Sequence, residues 1–411
     1  MNKPSQIHIQ PERLLKDLKE LATFGKLKTG VSRTSFSEPD IKARRWLEKR
    51  MHNAGLETAV DKVGNVHGKI SKAPKSVIIG SHTDSVPVGG WLDGSLGVIY
   101  GLEIARSVIE KGLDHEIGVH VTSFMDEEGT YLACLGSKAF CGELTTEEFS
   151  QGINGTGETL SEAITRSGFS KNPSITLDRK EHIAYLEAHI EQGPRLESTN
   201  KTIGIVSGIV GIRRLSVEII GEADHAGTVP MEMRKDAGAA AINFSALFLK
   251  KVEKVCGPDS VWNIGSVSFK PGAANVVPAS AEVLFEIRDL EPERLNAMEE
   301  ILQEISQEKS NSENLQYNLT KKIDISPSAM NSHLSQQIVQ SAENNEVPYM
   351  IMPSGAGHDA MILARHVDSA MLFIPSINGK SHSEAEDTLE DDIIAGCNVL
   401  AGSVENIFLS L

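Results

Sequence analysis

Histidine and carboxylate side chains that could bind metal ions recur in loops and at the ends of predicted strands. The candidate ligands are His82, Asp93, Glu128, His189 and His382. Imidazole nitrogen and carboxylate oxygen together suit Zn, Mn, Co or Ni. A single histidine or aspartate in a loop is more often a cap or a solvated group, and no local spacing singles these five out. Their number, together with their shared position at one sheet edge, predicts a metal centre.

Further acidic residues suggest how such a centre would work. Asp93 lies in a glycine-rich loop and could bridge two metal ions. Asp84 could accept the second N–H of a nearby metal-binding imidazole and so fix its tautomer; its alternative role is a turn cap. In the run Asp126-Glu127-Glu128, one carboxylate would bind metal while a neighbour accepts a proton from water. The chemistry alone does not decide which of these three acids has which role.

A second group of polar residues lies further along the chain. His225 occupies a tight turn after a predicted strand, Asn275 lies in a loop, and Arg288 ends a strand. Histidine and asparagine can donate hydrogen bonds to a carbonyl oxygen that develops negative charge. The arginine fork suits a substrate carboxylate. Each of these signals is weak alone, and without context Arg288 is more simply an exposed strand residue.

Hydrophobic periodicity predicts the elements that position the candidate ligands. The run Val77–Gly80 predicts a strand that leads into His82, and a helix is expected from Gly94 to about Glu110. Strands are also predicted at His115–Phe124, directly before the acidic run, and at Ala184–Ile190. Since α/β sheets place ligands at the carboxyl ends of their strands, we expect these residues to converge.

The order of predicted elements changes near residue 210. Between residues 210 and 325 the order strand, helix, two strands, helix, strand predicts a ferredoxin-like unit, in which two helices back one antiparallel sheet. An α/β pattern precedes and follows this segment. We therefore predict an α/β protein whose main domain is discontinuous, with residues 1–209 and 326–411 separated by an inserted domain at residues 210–325.

Composition and charge argue against several other classes of protein. The 411 residues carry a formal charge of -16 without a basic run, which disfavours nucleic-acid binding. No run approaches the roughly 20 apolar residues of a membrane span, so no membrane association is expected. The four cysteines show no CxxC spacing, and the first residues lack the apolar segment of a signal peptide. We therefore expect a cytoplasmic protein. A serine hydrolase is disfavoured because the chain has no GxSxG motif.

Eight short motifs together are similar to one branch of a known superfamily. They are SHTD, WLDG, DEEG, LEAHIEQGP, DHAGTVPM, GAANVVP, SGAGHDA and SHSEAE. The chain resembles the hydantoinase/carbamoylase branch of the dinuclear-zinc aminoacylase and dipeptidase superfamily, which includes N-carbamoyl-L-amino-acid hydrolases, β-ureidopropionases and allantoate amidohydrolases. The resemblance spans nearly the whole chain. It implies a mixed-sheet catalytic domain of zinc-aminopeptidase type with an inserted ferredoxin-like domain that serves as lid and dimerisation domain.

The resemblance also implies how the candidate ligands are divided. The expected cofactor is a pair of divalent metal ions in each subunit. His82 and His189 would hold one ion, while Glu128 and His382 would hold the other. Asp93 would bridge the two ions.

The same resemblance implies the catalytic and substrate-binding residues. Glu127 would act as general base and later as acid. The substrate-binding residues would be Gln192, His225, Asn275, Arg288 and His358. His225 would also be catalytic by polarising the scissile carbonyl, and Arg288 would bind the substrate carboxylate. The lid residues would come from the neighbouring subunit of a homodimer.

The expected reaction is hydrolysis of a carbamoyl (ureido) C–N bond in a small carboxylate-bearing substrate. An N-carbamoyl-L-amino-acid hydrolase or an allantoate amidohydrolase is the favoured interpretation; the alternative is an N-acyl-amino-acid deacylase or dipeptidase with the same metal site. A non-catalytic binding protein is disfavoured because Glu127 and the candidate ligands are intact.

The sequence departs from the pattern of this branch at two places. Tyr131-Leu132 stands where an Arg-Phe pair is usual and could alter the pocket wall, and Ser383-Glu384 follows His382 where Asn-Pro or Ser-Pro is usual. Neither change affects a candidate ligand. In related aminopeptidases the peptide after the bridging aspartate is often cis, which makes Asp93–Gly94 a candidate for a cis bond.

Overall fold

The computed structural model describes residues 7–410 of the chain. The protein divides into two compact units. The second unit spans Gly208–Ala329, and the first contains the segments before and after it. The insertion that the sequence predicts, residues 210–325, lies inside the limits of the second unit.

The structure contains the following helices and strands. The α-helices are α1 (Pro11–Leu21), α2 (Glu38–Asn53), α3 (Ser95–Glu110), α4 (Leu135–Cys141), α5 (Thr146–Gln151), α6 (Leu160–Ser167), α7 (Arg195–Ser198), α8 (Ala237–Val252), α9 (Pro292–Ser312), α10 (Ser332–Asn344), α11 (Ala360–Leu363) and α12 (Glu390–Leu409). The strands are β1 (Glu57–Val60), β2 (Val66–Lys69), β3 (Ser76–His82), β4 (Gly118–Phe124), β5 (His182–Ile190), β6 (Ile203–Ile209), β7 (Gly211–Ile220), β8 (Asp224–His225), β9 (Val261–Lys270), β10 (Val276–Val277), β11 (Ser280–Asp289), β12 (Gln316–Ile325), β13 (Ser328–Ala329), β14 (Tyr349–Ser354) and β15 (Ser369–Ile374).

The first unit is built on a mixed sheet. Its strand order is β1-β2-β4-β3-β5-β15-β6, with β14 beside β6. The central strands β4, β3, β5 and β15 are parallel, whereas β1, β2 and β6 pair in the antiparallel sense. Every residue of β3 and β4 is buried, as expected for parallel strands that are covered on both faces. His82 ends β3 and His189 is the penultimate residue of β5, so both lie at the carboxyl edge of the sheet.

Apolar helices cover this sheet and exclude water from it. Helix α3 packs against β3, β4 and β5, and it is buried from Ser95 to Val108. Judged only by its length and composition, helix α12 could cross a membrane. This segment was not identified from the sequence as a possible membrane span. However, 56% of its apolar window is buried inside the protein, where it packs against α10, α3 and β15. This burial is that of a core helix.

The second unit has the connectivity expected from the sequence. Strands β7, β9, β11 and β12 form an antiparallel sheet in the order β12-β7-β11-β9. Helices α8 and α9 pack against one another and against this sheet, and their apolar residues form a separate core with it. The predicted fold, a mixed α/β domain interrupted by a βαββαβ segment, is therefore confirmed.

Several elements were absent from the sequence-based prediction, among them β6 and α5. Strand β6 has the sequence IGIVSGI, whose glycines obscure its pattern, although it is almost entirely buried. Helix α5 has only six residues and no buried side chain, so its hydrophobic periodicity is weak. A capping box between Thr145 and Glu148 stabilises its first turn.

Candidate metal centre

A strand, a loop and a helix that follow one another place His82 and Asp93. Strand β3 ends at His82, and Gly94 separates Asp93 from the first residue of α3. Gly94 has a φ of +63°, and a Cβ there would lie 2.4 Å from His82 Nε2, so glycine is required. Within residues 7–410 the only cis peptide precedes Pro271, so the candidate cis bond at Asp93–Gly94 is wrong. The positive φ of Gly94 turns the chain there while the peptide stays trans.

The five predicted ligands come together in two groups that share Asp93. In the first group, Asp93 Oδ1 lies 2.9 Å from His189 Nε2 and 3.7 Å from His82 Nε2. In the second group, His382 Nε2 lies 3.3 Å from Asp93 Oδ2 and 3.6 Å from Glu128 Oε2. Because each oxygen of one aspartate faces a different group, the arrangement can hold two metal ions with a shared carboxylate.

Main-chain carbonyl groups orient the two buried histidines. His82 Nδ1 lies 3.0 Å from the carbonyl oxygen of Asp84, and His189 Nδ1 lies 2.8 Å from that of Ile190. A carbonyl oxygen only accepts, so each ring carries a proton on Nδ1, and in the neutral form the Nε2 lone pair is available to a metal ion. The predicted contact through the Asp84 carboxylate is absent, since its Oδ1 lies 3.8 Å from His82 Nδ1. Asp84 Oδ2 instead accepts hydrogen bonds from the Ser35 hydroxyl and the Glu128 N–H.

The three neighbouring acids have different surroundings. Both oxygens of the Asp126 carboxylate accept main-chain N–H groups of residues 130–132, at 2.7–2.9 Å, so Asp126 shapes the loop. Glu128 belongs to the second ligand group. Glu127 belongs to neither group, and its Oε2 lies 3.6 Å from His82 Nε2. The geometry therefore favours Glu128 as the ligand and leaves Glu127 beside the centre.

Burial and neighbouring charge alter the pKa of these groups. Desolvation, followed by the negative charges of Asp359 and Glu128, raises the pKa of Glu127 well above its usual range. Desolvation and the charge of Asp93 raise the pKa of Glu128 to about 8. Burial lowers the pKa of His189, but the hydrogen bond to Asp93 and the negative charges of Asp93 and Glu187 together outweigh it, so the pKa rises to about 9. All three pKa values are raised because several carboxylates lie close together in a buried site, where negative charge favours the protonated form of each group.

Two predicted substrate-binding residues of the first unit lie near the ligands. Gln192 Nε2 is 3.2 Å from Asp93 Oδ2 and 3.4 Å from His382 Nε2, so it contacts both ligand groups. His358 is only 2% exposed, its ring packs edge-on against His189 at 4.5 Å, and its Nε2 contacts the Ser354 hydroxyl at 3.0 Å. His358 therefore packs directly against a ligand and is as buried as His82 and His189, and its role in substrate binding stays a prediction.

The predicted residues of the second unit do not form a single cluster. His225 in β8 pairs with Val276, and the Ala226 N–H donates to the carbonyl oxygen of Asn275. Both side chains are exposed. Arg288 lies near the end of β11, where it donates to Glu286 Oε1 through Nε at 2.9 Å and Nη2 at 2.6 Å. The structure thus brings His225 and Asn275 together and places Arg288 at the opposite end of β11.

Glu386 was assigned no role from the sequence, although it lies in the motif SHSEAE. Its carboxylate accepts the N–H groups of Leu92 and Asp93, at 3.1 and 3.0 Å, and the hydroxyl of Ser381 at 3.0 Å. Glu386 therefore ties the loop of Asp93 to the loop of His382. Desolvation and the charge of Asp93 raise its pKa to about 7. Its position four residues after His382, in a loop without periodicity, was the only sequence signal.

The unusual pair Tyr131-Leu132 lies in an apolar cluster of the first unit. The Tyr131 ring packs against Phe36, and its hydroxyl contacts Glu158 and Asn154. Leu132 packs against the same cluster. Both side chains thus contribute to this core, and the possible change to the pocket wall has no support in these contacts.

Comparison with known proteins identifies the family of this chain. Residues 78–406 match the profile of peptidase family M20/M25/M40. The chain belongs to peptidase family M20/M25/M40. This family is metal-dependent, which agrees with the two ligand groups around Asp93. The resemblance inferred from the motifs is thereby confirmed.

Individual members of the family are similar over nearly the whole chain. The N-carbamoyl-L-amino-acid amidohydrolase of Pseudomonas sp. (strain NS671) is 38% identical, over 97% of this chain and 98% of its own. The allantoate amidohydrolase of Escherichia coli (strain K12) is 33% identical, over 90% of this chain and 92% of its own. The crystal structure of a hydantoinase/carbamoylase family amidase from Burkholderia phymatum has a TM-score of 0.94 and 42% identity and covers both chains completely.

The ligand groups also fit divalent metal ions on structural grounds. Glu128 Oε1 is a buried carboxylate oxygen without a hydrogen-bond partner. Burying such an oxygen costs free energy unless a cation binds it. Three imidazoles and two carboxylates form a donor set typical of zinc and similar ions.

Proposed function

We propose that this protein hydrolyses a carbamoyl (ureido) C–N bond in small carboxylate-bearing substrates. It would act as an N-carbamoyl-L-amino-acid hydrolase or an allantoate amidohydrolase. The observation that carries this proposal is the pair of histidine and carboxylate groups around Asp93, with Glu127 beside them. Relatives with these two activities in their names, at 38% and 33% identity, support it. All four cysteines are free thiols, which supports a reducing compartment such as the cytoplasm.

The proposed mechanism assigns the metal ligands and the base to separate groups. His82, His189, His382, Glu128 and the shared Asp93 would hold two divalent ions, Zn, Mn, Co or Ni. Bound ions would lower the pKa of a water molecule and polarise the substrate carbonyl.

Glu127 moves the proton in this mechanism. It accepts a proton as water adds to the ureido carbon, and it then donates that proton to the leaving nitrogen. The C–N bond breaks, and the products from a carbamoyl amino acid are the amino acid, ammonia and carbon dioxide. The low-dielectric surroundings that raise the pKa of Glu127 suit a group that must both accept and return a proton.

Residues of the second unit would recognise the substrate. Arg288 would bind the substrate carboxylate, because a guanidinium already oriented by Glu286 loses little freedom on binding. His225, assisted by Asn275, would donate to the carbonyl oxygen as negative charge develops there. In the first unit, Gln192 would contact substrate next to Asp93.

The length of β11 supports a homodimer with shared substrate-binding residues. Arg288 lies eight residues along β11 from Ser280, roughly 27 Å at about 3.4 Å per residue. At the other end of β11, where Ser280 pairs with Ile220, His225 follows β7 and Asn275 precedes β11. One copy of this unit cannot bring Arg288 and His225 to a single small substrate, so two copies would contribute.

Mixing two variants, each of which has low activity at substrate concentrations well below the wild-type KM, tests the shared arrangement. If each site takes Arg288 from one copy and His225 from the other, exchange between R288A and H225A dimers gives heterodimers with one intact site. Activity would recover to about a quarter of the wild-type value, since half of the dimers are mixed. No recovery after demonstrated subunit exchange would refute the arrangement.

The alternative function is N-acyl-amino-acid deacylation or dipeptide hydrolysis at the same metal site. The match to a peptidase family is the observation that favours it. A single substrate series separates the two functions, because only ureido hydrolysis releases ammonia from the carbamoyl group.

The test uses metal-free protein reloaded in turn with Mn, Co, Ni or Zn. Ammonia is measured with N-carbamoyl-L-amino acids, N-carbamoyl-β-alanine and allantoate, and free amine is measured with N-acetyl amino acids and dipeptides. Ammonia release that chelator abolishes is the expected result. Amine release from the acyl or peptide substrates alone would establish the alternative.

A further inference from the structure

The side chain of Asn65 lies beneath the loop that carries Glu127 and Glu128. Asn65 Oδ1 accepts the N–H of Met125 at 2.8 Å, and its Nδ2 donates to the carbonyl oxygen of Gly136 at 3.0 Å. The Gly136 N–H donates in turn to the carbonyl oxygen of Met125 at 2.7 Å. One buried amide thus joins the residue before the loop to the residue after it.

Gly136 provides the space for this contact. A Cβ at that position would lie 2.1 Å from Asn65 Oδ1 and 2.3 Å from the Met125 nitrogen, so any side chain would displace the amide. Gly136 lies within α4 and has no positive φ. The glycine is therefore required by the close approach of Asn65 and not by the backbone conformation.

Asp61 fixes the orientation of the Asn65 amide. Asp61 Oδ2 accepts from Asn65 Nδ2 at 2.9 Å, while Asp61 Oδ1 accepts the N–H groups of Val63, Gly64 and Asn65 at 2.9–3.0 Å. With a carboxylate and a carbonyl oxygen on one side and an N–H on the other, only one orientation of the amide satisfies all three contacts.

A chain of three buried histidines leads to Asp61. The Asp178 N–H donates to His182 Nδ1, His182 Nε2 lies 2.9 Å from His120 Nδ1, and His120 Nε2 lies 3.1 Å from His67 Nδ1. Because the first donor is a main-chain N–H, each neutral ring must carry its proton on Nε2 and donate toward the next. His67 Nε2 lies 3.6 Å from Asp61 Oδ2, too far for a hydrogen bond, so the chain ends beside Asp61 without a hydrogen bond to it. The chain spans β5, β4 and β2 and has one direction.

We propose that Asn65 is a positioning residue for the loop of Glu127 and Glu128, held in place by Asp61. The proposal rests on the proposed function, because Glu127 is the base and Glu128 a ligand only there. Asn65 contacts no substrate and acts by closing the base of the loop at Met125 and Gly136. A purely structural Asn65 would affect the stability of the fold without changing catalysis by the folded protein.

The variant N65A tests this role, with N331A as its matched control. Asn331 caps α10 by accepting the Leu334 N–H, so N331A also removes one asparagine contact with the main chain, far along the sequence from the loop. With ureido substrate at saturating metal, we expect kcat of N65A to fall about 10- to 100-fold while KM stays near the wild-type value. N65A should also bind Mn²⁺ more weakly in the absence of substrate, because Glu128 is displaced. N331A should retain wild-type kcat and Mn²⁺ affinity.

Wild-type kcat in metal-saturated N65A, or an equal loss of kcat in N331A, would overturn the proposal. If N65A does not fold, hydrogen exchange in the wild-type protein provides the test. The Met125 amide should be among the slowest to exchange, since its acceptor is a buried side chain, and rapid exchange would refute the contact. If the wild-type protein hydrolyses no ureido substrate, the proposed function fails, while the Mn²⁺ and exchange measurements still decide the role of Asn65.

Discussion

Loading metal-free protein with Zn²⁺ should release protons, because protons occupy the positions that ions would take. The pKa of His189 rises to about 9 despite burial, through its hydrogen bond to Asp93. The pKa of His382 also rises to about 9, primarily through its hydrogen bond to Asp93, and desolvation raises that of Glu128 to about 8. Metal ligands must be deprotonated, so each of these groups loses its proton on binding.

The number of protons follows from these pKa values. At pH 7 a group with a pKa of 8 or 9 is protonated in about nine-tenths or more of molecules, so the three ligands release about three protons per subunit. Glu127, whose pKa is also raised, can add to this number. The number of protons released on Zn²⁺ binding must decrease with increasing pH. It falls as the pH rises through 8 and 9, and above about pH 9.5 the three ligands together carry fewer than one proton that Zn²⁺ can displace. Apparent metal affinity rises over the same interval.

Calorimetric titration with Zn²⁺ in two buffers of different ionisation enthalpy measures this release. The variant H382A should release about one proton fewer at pH 7, because it lacks one of the protonated ligands. H333A is the matched control, since His333 is an exposed histidine at the start of α10. Binding without proton release at pH 7, or a release that does not change between pH 7 and 9.5, would refute the arrangement of charges around Asp93.

Three further variants test separate parts of the account. Glu127→Gln should retain fold and metal content but lose about 10²- to 10⁴-fold in kcat, and wild-type-like turnover would reject the base assignment. Arg288→Ala should raise KM for carboxylate-bearing substrates by about 10- to 100-fold with little change in kcat, and an unchanged KM would count against the proposed contact. Desolvation and the charge of His67 hold the pKa of His120 well below its usual range, so the folded state binds fewer protons than the unfolded state at acid pH. His120 should therefore reduce the free energy of unfolding below about pH 6.5 by up to about 1.4 kcal/mol per pH unit. When urea titrations at several pH values give the free energy of unfolding, H120Q should show a weaker dependence of that free energy on pH than the wild type. An equal dependence on pH would contradict this.

The sequence predicted the sheet edge well because the pattern there is local. Val77–Gly80 is a short apolar run bounded by polar residues, and the helix after Gly94 has a clear apolar period. Since parallel strands end at one edge, placing His82 and His189 together needed only the fold class. The two groups around Asp93 follow from that topology.

The details that the sequence did not predict depend on tertiary contacts. The main-chain carbonyl of Asp84 orients His82, and because every residue has such a carbonyl, the sequence does not show this contact. The packing of His358 against His189 is likewise a tertiary contact that the sequence does not show. The separation of Arg288 from His225 depends on the register of β11, which side-chain types alone do not give. Strand β6 was missed because burial on both faces and internal glycines remove its alternation.

The most direct test of the central claim follows the carbamoyl carbon itself. An N-carbamoyl-L-amino acid labelled with ¹³C at the ureido carbon is incubated with metal-loaded protein and observed by NMR, with chelated protein and the Glu127→Gln variant as controls. The account predicts that the ureido signal is replaced by bicarbonate in step with ammonia, and only with the metal-loaded wild type. A ureido signal that persists in every metal, while N-acetyl amino acids or dipeptides are cleaved, would contradict it.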